Sequence, residues 1–312
     1  MVFSEKFTYF QKNENPTDFG LDKASGSTPC HTIMEPRLPL LTYSPIRVQD
    51  GQWRVVENLI CQEVPLEIRV NDTLYATLMR TPGLEQELAV GFCFTDTLIE
   101  SRDDITEIHC ISAQDSPYMT AVALTIPKLL GQDVTRQSLL KSSSASVHNA
   151  HILDELQNNI PSSETPASPK RFALSVLDEL PDKLNAGQVL RAKCGATHGA
   201  ALFNAQGDVI YCTEDVGRHN ALDKLIGFIL MNKIETSDKI LMLSSRASFE
   251  MIQKAVRIAI PVVASVSAPT DLGLQVADRL QCTYISFLKK GGYYIYTHPW
   301  RFGLDEKTLR VF

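Results

Sequence analysis

Apolar and polar residues alternate with a period of two in the first third of the chain. Between Trp53 and Thr81 two such stretches, LEIRVN and TLYATLM, meet at Asn71 and Asp72. Successive side chains of a strand point to opposite faces, and a short Asn/Asp turn between two alternating stretches is typical of a β-hairpin. The pattern therefore predicts two paired strands.

A helix is predicted directly after this hairpin. Thr81 and Pro82 are residue types favoured at an N-cap and at the first helical position. Apolar residues then recur at helical spacing from Leu84 onwards, which gives the helix one apolar face. The stretches ITEIHCIS and YMTAVALTI predict two further strands. Residues 46–135 are therefore expected to form a smaller, mixed α+β N-terminal subdomain.

The hydrophobic pattern changes in the second half of the chain, where short apolar runs alternate with amphipathic stretches. Apolar strands alternating with helices predict a layered α/β sheet with parallel neighbours, here over 171–312. Two other segments have no sustained period. Residues 1–45, rich in Asn, Pro, Ser and Thr, predict a flexible tail, and the Ser/Pro-rich residues 136–170 predict a flexible loop or linker.

Composition narrows the class of protein. The net charge is −6, so the chain as a whole gives no reason to expect a nucleic-acid partner. The first residues lack a basic segment followed by an apolar core, and no apolar run approaches the roughly 20 residues that span a bilayer. A cytoplasmic protein without a membrane anchor is expected.

The seven cysteines are scattered. No two have the two-residue gap of a zinc knuckle or a redox motif, so no metal site is predicted. Free cysteine is among the most buried residue types, and Cys93 and Cys110 are expected to be small buried hydrophobes.

Three loops are predicted to lie at the carboxyl ends of strands in the α/β part, each just before a helix. They are 213–220, 244–246 and 265–270. Ligands of such sheets collect at this edge, and helix N-termini with hydroxyl and guanidinium groups suit a phosphate or pyrophosphate. The structural alternative is that the hydroxyl residues are only helix caps and that Asp215 and Arg218 are a structural pair.

His198 lies between a turn and a strand, where a histidine is more often a hydrogen-bonded structural residue than a ligand. Zinc deaminases use His-x-Glu followed by a close cysteine pair. Here Ala200 takes the place of the glutamate, which argues against a zinc deaminase.

The stretches TEDVGRHNALDKLIG, SSRASFEMIQKAVRIAIP, SVSAPTDLGLQVAD and EVPLEIRVNDTLYATLMRTPGLEQELAVGF resemble the FdhD/NarQ family, from about Glu63 to Thr297. The resemblance implies a cytidine-deaminase-like sheet without zinc. It also implies a homodimeric sulfur carrier that receives sulfur from a cysteine desulfurase. The sulfur passes to a molybdenum bis(molybdopterin guanine dinucleotide) cofactor, the guanine-nucleotide-containing cargo destined for formate dehydrogenase.

The chain departs from the family where the family carries Ser-Ser-Cys-Gly-x-Cys-Gly. Ala145 and His148 stand at the places of the two cysteines, and no cysteine lies between Cys110 and Cys194. Sulfane sulfur is held as a persulfide on a thiolate, which neither alanine nor histidine provides. The resemblance therefore leaves open whether the chain is an enzyme.

Three functions remain open at this point. The chain is a binder of cofactor or partner without sulfur transfer, a sulfurtransferase that uses Cys194, or a small-molecule-binding or regulatory paralogue. Arg and Lys suit an anionic cargo, through a planar fork and a point charge respectively. The residues expected to contact this cargo are Arg218, His219, Asn220, Ser245, Arg246, Ser267, Thr270, Lys289 and Lys290. The family's C-terminal cofactor-contacting stretch corresponds to Phe287, Leu288, Lys289, Lys290, Gly291 and Gly292.

Overall fold

Two larger sheets and seven α-helices make up most of the part of the chain that the computed structural model describes, which is residues 38–113, 116–132 and 172–304. The strands are β1 (Leu40–Tyr43), β2 (Ile46–Gln49), β3 (Gln52–Val55), β4 (Asn58–Cys61), β5 (Val64–Val70), β6 (Thr73–Arg80), β7 (Glu107–Ser112), β8 (Met119–Thr125), β9 (His198–Phe203), β10 (Val209–Asp215), β11 (Ile240–Leu243), β12 (Val262–Ser265), β13 (Thr283–Lys289) and β14 (Gly292–Ile295). The helices are α1 (Glu85–Thr95), α2 (Leu174–Leu177), α3 (Leu180–Gly187), α4 (Val189–Cys194), α5 (Arg218–Met231), α6 (Phe249–Arg257) and α7 (Asp271–Arg279). Short 3-10 helices cover Arg102–Asp104, Pro127–Leu129 and Pro299–Phe302.

The N-terminal part forms a four-stranded sheet in the order β6-β5-β8-β7. The predicted hairpin is confirmed as the antiparallel pair β5 and β6. Asn71 and Asp72 at its turn have positive φ angles of 48° and 66°, the conformation that two-residue hairpin loops require. The two further predicted strands are β7 and β8.

Four short strands precede this sheet and pair in a nested way, β1 with β4 and β2 with β3. The strand β1 (Leu40–Tyr43) lies inside the stretch 1–45 that was predicted as a tail. The rest of that stretch, up to residue 37, and the predicted loop or linker 136–170 lie outside the described residues.

The predicted helix start at Thr81 and Pro82 is wrong, because α1 begins at Glu85. Its N-cap residue is Leu84, which has a φ angle of 59° and makes no side-chain cap. Thr81 is fully buried and makes its hydrogen bonds to the main sheet instead, as described below. The Thr81 hydroxyl thus accepts a hydrogen bond from Val216, far along the chain, instead of capping the helix that follows it.

The main sheet has six strands in the order β10-β9-β11-β12-β13-β14. The pairs β11–β12 and β12–β13 are parallel, and β9 and β14 run antiparallel to their neighbours. Along β11 all four residues are buried, with Leu241 and Leu243 in one core and Ile240 and Met242 in the other. Both faces are therefore covered, which explains the continuous apolar runs in the sequence. The mixed α/β class is confirmed.

Helices α1 and α5 pack against each other through two glycines. A Cβ at Gly91 would overlap with the carbonyl oxygen of Asp223, and one at Gly227 with the carbonyl oxygen of Glu87. The backbones approach this closely only because neither position carries a side chain. One hydrophobic core therefore contains residues of both larger sheets. The predicted division at residues 135 and 171 stays a prediction.

Candidate functional site

Strands β10, β11, β12 and β13 run in the same direction, so their carboxyl ends lie at one edge of the main sheet. Asp215 at the end of β10 is paired with His198 at the start of β9, and Ser265 at the end of β12 is paired with Leu243. The β13–β14 turn, where Lys289 pairs with Gly292, lies at the same edge. The three predicted loops and this turn therefore share one edge, as the alternation of strands and helices predicted.

The loop after β10 is built around the buried carboxylate of Asp215. Its Oδ2 accepts a hydrogen bond from the backbone N of Thr81 at 3.0 Å and lies 2.7 Å from Nζ of Lys224. Its Oδ1 accepts from the backbone N of Gly217 at 2.9 Å and from Nδ2 of Asn220 at 3.1 Å. The predicted alternative pairing of Asp215 with Arg218 is wrong, because the buried cation at Asp215 is Lys224.

Thr81 and Lys224 complete this network. The Oγ1 of Thr81 accepts from the backbone N of Val216 at 3.1 Å, and Nζ of Lys224 donates to the carbonyl oxygen of Thr81 at 2.8 Å. The Nδ2 of Asn220 also donates to the carbonyl oxygen of Met79 at 2.8 Å. Asn220 was predicted to contact a ligand, but its amide nitrogen joins the end of β6 to the start of α5. Much of the EDVGRHNALDK motif is thus structural.

Glu214 connects the same motif to α4. Its carboxylate accepts from the backbone N of Leu190 at 2.8 Å, from the backbone N of Arg191 at 2.9 Å and from Oγ1 of Thr197 at 2.7 Å. A carboxylate at a helix N-terminus satisfies free N–H groups and stabilises the helix. The position of α4, and hence of Cys194 at its end, is therefore set by the residue beside Asp215.

Arg218 begins α5 and brings positive charge close to His198. Burial, together with the nearby charges of Arg191 and Arg218, lowers the pKa of His198. The Nδ1 atom of His198 is buried and has no hydrogen-bond partner among the described residues. His219 lies 2.6 Å from a carboxylate oxygen of Glu250, and this hydrogen bond lowers the pKa of Glu250. His198, treated in the sequence as a structural residue, is thus a half-buried imidazole with an unused nitrogen.

In the loops after β11 and β12, two of the predicted ligand-contacting hydroxyls bond to nearby backbone groups, and one arginine is exposed. Ser245 is buried and its hydroxyl donates to the carbonyl oxygen of Arg246 at 3.2 Å, whereas Arg246 itself is exposed. Thr270 caps α7 by accepting from the backbone N of Gly273, which confirms the capping alternative for this residue. The carbonyl oxygen of Ser267 accepts from the backbone N of Phe287 at 3.3 Å and joins this loop to the end of β13.

The turn after β13 contains the family's predicted cofactor-contacting stretch. Phe287 has a φ angle of 52° and is 42% exposed, and Lys289 and Lys290 are exposed. The side chain of Leu288 is fully buried in the core, so any ligand contact at this residue falls to its backbone. Gly291 has a φ angle of 80°, which a glycine adopts without strain.

Two cysteines meet beside this edge. Cys61 ends β4 and is 9% exposed, and Cys194 ends α4 and is half-buried. Helix α4 packs against β4 at this point, and Sγ of Cys61 lies 3.4 Å from Oγ1 of Thr81. Burial raises the pKa of Cys61. The sequence singled out Cys194 alone, because nothing in the spacing of the two residues connects them.

The other described cysteines differ in exposure. Burial raises the pKa values of Cys93 and Cys282, and also that of Cys212, which keeps part of its surface exposed. The prediction for Cys93 is confirmed, since it is fully buried. The prediction for Cys110 is wrong. Its side chain is half-buried on β7, where Nε2 of Gln86 donates to its sulfur at 3.0 Å.

No three His, Cys, Asp or Glu side chains in the described ranges cluster closely enough to bind a metal ion. None of the described helices has the length and apolar character needed to cross a bilayer. Ala145 and His148, which the resemblance puts at the places of the family cysteines, lie outside the described residues.

Comparison with known proteins identifies the class. The sequence model of the FdhD/NarQ family matches residues 61–303. The chain is 36% identical over 274 residues to the sulfur carrier protein FdhD of Streptomyces coelicolor, covering 85% of this chain and 95% of that protein. It is 32% identical over 259 residues to the protein of the same name from Sulfolobus acidocaldarius, covering 83% of this chain and 96% of that protein. The chain therefore belongs to the FdhD/NarQ family.

A solved structure supports the same fold. The crystal structure of a proposed formate dehydrogenase accessory protein from Desulfotalea psychrophila superposes with a TM-score of 0.66 at 21% sequence identity, covering 85% of this chain and 99% of that one.

In the described part of the chain, Cys61 and Lys224 were missed in the sequence, and Thr81 was given a capping role that it does not have. Only Lys224 left a visible sign, because it interrupts the apolar run ALDKLIG on a helix whose neighbouring positions are buried. A lysine in such a run needs a buried partner, and Asp215 provides it.

Proposed function

We propose that this chain is an accessory protein for formate dehydrogenase that binds a guanine-dinucleotide molybdenum cofactor as its cargo. The observation that carries the proposal is the edge of the main sheet where four strands end. Two guanidinium and two ammonium groups lie at or after the ends of β10, β11 and β13, on Arg218, Arg246, Lys289 and Lys290. The relatives named sulfur carrier protein FdhD support the accessory role.

The chemistry of this edge suits a pyrophosphate. Helices α5, α6 and α7 all begin there, and their first N–H groups favour an anion. Arg218 stands at the first position of α5 and would hold phosphate oxygens through its planar fork, while Lys289 and Lys290 would add positive charge from the neighbouring turn. The unused Nδ1 of His198 offers a further polar contact beside Arg218.

The Phe287 side chain supports recognition of the nucleobase or pterin. It is partly exposed on the turn that carries the two lysines, and its ring contacts Tyr294 edge-on with the centroids 5.8 Å apart. An exposed aromatic ring next to phosphate-binding cations is suited to stacking on a planar heterocycle. The proposal thus assigns the phosphates to the helix starts and the ring systems to the β13–β14 turn.

The proposal extends to partners. Following the family resemblance, we propose a cysteine desulfurase as sulfur source, formate dehydrogenase or a related molybdoenzyme as recipient, and a homodimer as the working form. A cytidine-deaminase-like layering and a cytoplasmic location belong to the same proposal. Because Ala145 and His148 replace the family's cysteines in the resemblance, the 143–149 segment contributes no persulfide, and cargo binding is the function that remains for the sheet edge.

Titration calorimetry tests the site with guanosine diphosphate as the probe and guanosine as the phosphate-free comparison. We expect heat with the diphosphate, little heat with guanosine, and a loss of affinity of roughly tenfold or more in Arg218→Ala, as for one charge-assisted hydrogen bond. Lys233→Ala is the matched control, because Lys233 is an exposed cation just beyond the C-terminal end of α5, opposite to Arg218, and its partner is Asp103.

Two outcomes would overturn the proposed site. One is the absence of heat with the diphosphate while the protein remains folded. The other is an equal affinity in Arg218→Ala and Lys233→Ala, which would mean that the diphosphate binds elsewhere.

A further inference from the structure

The contact between Cys61 and Cys194 joins two distant parts of the chain. Cys61 is the last residue of β4 and Cys194 the last residue of α4. Both are free thiols, α4 packs against β4, and the Cys194 thiol is close enough to Cys61 to contribute to raising its pKa. The Sγ of Cys194 also donates to the carbonyl oxygen of Leu190 at 3.1 Å. Two neighbouring thiols can release a bound sulfane sulfur as sulfide by forming a disulfide with each other, which a single cysteine cannot do.

The thiol pair adjoins the candidate cargo site. Thr81 contacts Cys61 through Oγ1, and its backbone N donates to Asp215 at the carboxyl end of β10. Glu214 holds the start of α4 on the opposite flank of Cys194. Thr81 therefore connects Cys61 to Asp215, and Glu214 connects the helix of Cys194 to the same strand end, which directly precedes Arg218.

The two thiols differ in access. Cys61 is 9% exposed, whereas Cys194 is half-buried and follows Arg191 and Lys193 in the last turn of α4. A bulky sulfur donor can reach only the more accessible thiol, and cationic neighbours favour the approach of an anionic persulfide. Because Cys61 is nearly covered, we expect its thiol to react only with a sulfur atom that is already bound to Cys194.

We propose that Cys194 and Cys61 form a sulfane-sulfur site that takes over the role of the missing cysteine pair, an inference that rests on the proposed function and deepens it. In the first step the Cys194 thiolate attacks the outer sulfur of a donor persulfide. The new bond joins Sγ of Cys194 to that sulfur, the donor S–S bond breaks, and the donor leaves as a thiol that takes the proton of Cys194. This step transfers sulfur without net oxidation.

In the second step the Cys61 thiolate attacks Sγ of the Cys194 persulfide. The bond between Sγ and the outer sulfur breaks, the outer sulfur leaves as hydrosulfide with the proton of Cys61, and a Cys61–Cys194 disulfide forms. The two thiols supply the two electrons that reduce the sulfane sulfur to sulfide. A dithiol reductant then returns the disulfide to two thiols and is itself oxidised to a disulfide.

Glutathione persulfide tests the site without any protein partner, in full-length protein carrying Cys30→Ser, because Cys30 lies outside the described residues. We expect a transient gain of about 32 Da on Cys194, followed by a net loss of about 2 Da and a peptide cross-link to Cys61. Cys61→Ser and Cys61→Ala should keep the added sulfur at least about tenfold longer. Cys194→Ser should gain none at that position, and Cys110→Ser serves as the half-buried control that behaves like the parent.

Three results would overturn the inference. They are an unmodified Cys194, a persulfide that decays equally fast with and without Cys61, or equal labelling of Cys110 and Cys194. Calorimetry with guanosine diphosphate on the same preparations separates this failure from that of the proposed function. Retained binding with no persulfide removes the thiol site alone, whereas lost binding with an intact persulfide removes the cargo site alone.

Discussion

The Nζ of Lys224 lies 2.7 Å from Oδ2 of Asp215, and both side chains are almost fully buried. The pair joins α5 to the end of β10, and both members also bind the segment of Thr81. A buried ion pair of this kind is tolerated because every charge in it has a partner. The densest motif of the family thus includes a structural network directly beneath the proposed cargo site.

Removing one member of this pair should be costly. We expect Lys224→Met to lower the free energy of unfolding by about 3–5 kcal/mol, because Asp215 would remain buried without its cation. Urea denaturation followed by circular dichroism measures this change. The double variant with Asp215→Asn should recover part of the loss.

The control for this variant is Lys233→Met, which removes a cation whose partner is Asp103 and where both side chains are largely exposed. Its effect should stay below about 1 kcal/mol. Equal losses in Lys224→Met and Lys233→Met would contradict the structural role assigned to the buried pair.

The crossing of α1 and α5 should not tolerate a methyl group. We expect Gly227→Ala to lower the free energy of unfolding by about 2 kcal/mol or more, because the new Cβ would overlap with the carbonyl oxygen of Glu87 and the helices would have to separate. Gly292→Ala is the matched control. Its Cβ would lie 3.9 Å from the nearest side-chain atom, and its effect should remain within about 0.5 kcal/mol.

Local patterns in the sequence predicted the elements but not the contacts between distant segments. The Asn71–Asp72 hairpin and the alternation of strands and helices depend on neighbouring residues, so periodicity and turn chemistry were sufficient. Thr81 was misinterpreted as a helix cap because its partners, Asp215 and Val216, lie far along the chain. The Cys61 contact was missed for the same reason. Only the folded chain brings β4 and α4 together.

The stability of the protein should depend on the protonation of His198. Its pKa in the folded state is lowered by burial and by the charges of Arg191 and Arg218, so the unfolded chain binds a proton more readily. The stabilising contribution is complete above the unfolded pKa of about 6.5 and is lost as the pH falls through the lower, folded pKa. Unfolding free energies measured from pH 7.5 to pH 5 should therefore fall with pH, and His198→Gln should reduce this slope.

The pKa of His198 should also respond to the charge of Arg218. In proton NMR titrations, Arg218→Gln should raise the pKa of His198, because one of the two nearby positive charges is removed. Bound guanosine diphosphate should raise the pKa of His198 in the parent protein, since its negative charge would favour the imidazolium. An unchanged titration in Arg218→Gln would show that burial and Arg191 alone determine the pKa.

Alkylation of the native protein should separate its cysteines by burial. Iodoacetamide reacts with the thiolate, so Cys212 and Cys282, whose pKa values burial raises to about 12, should remain unmodified at pH 8. Cys194 and Cys110 are half-buried and should be labelled first, with Cys61 following more slowly because it is nearly covered and its pKa is raised. Mass spectrometry of timed samples gives the order. Labelling of Cys282 as fast as Cys194 would contradict it, because a thiol buried in the core just before β13 reacts only when that part of the structure opens.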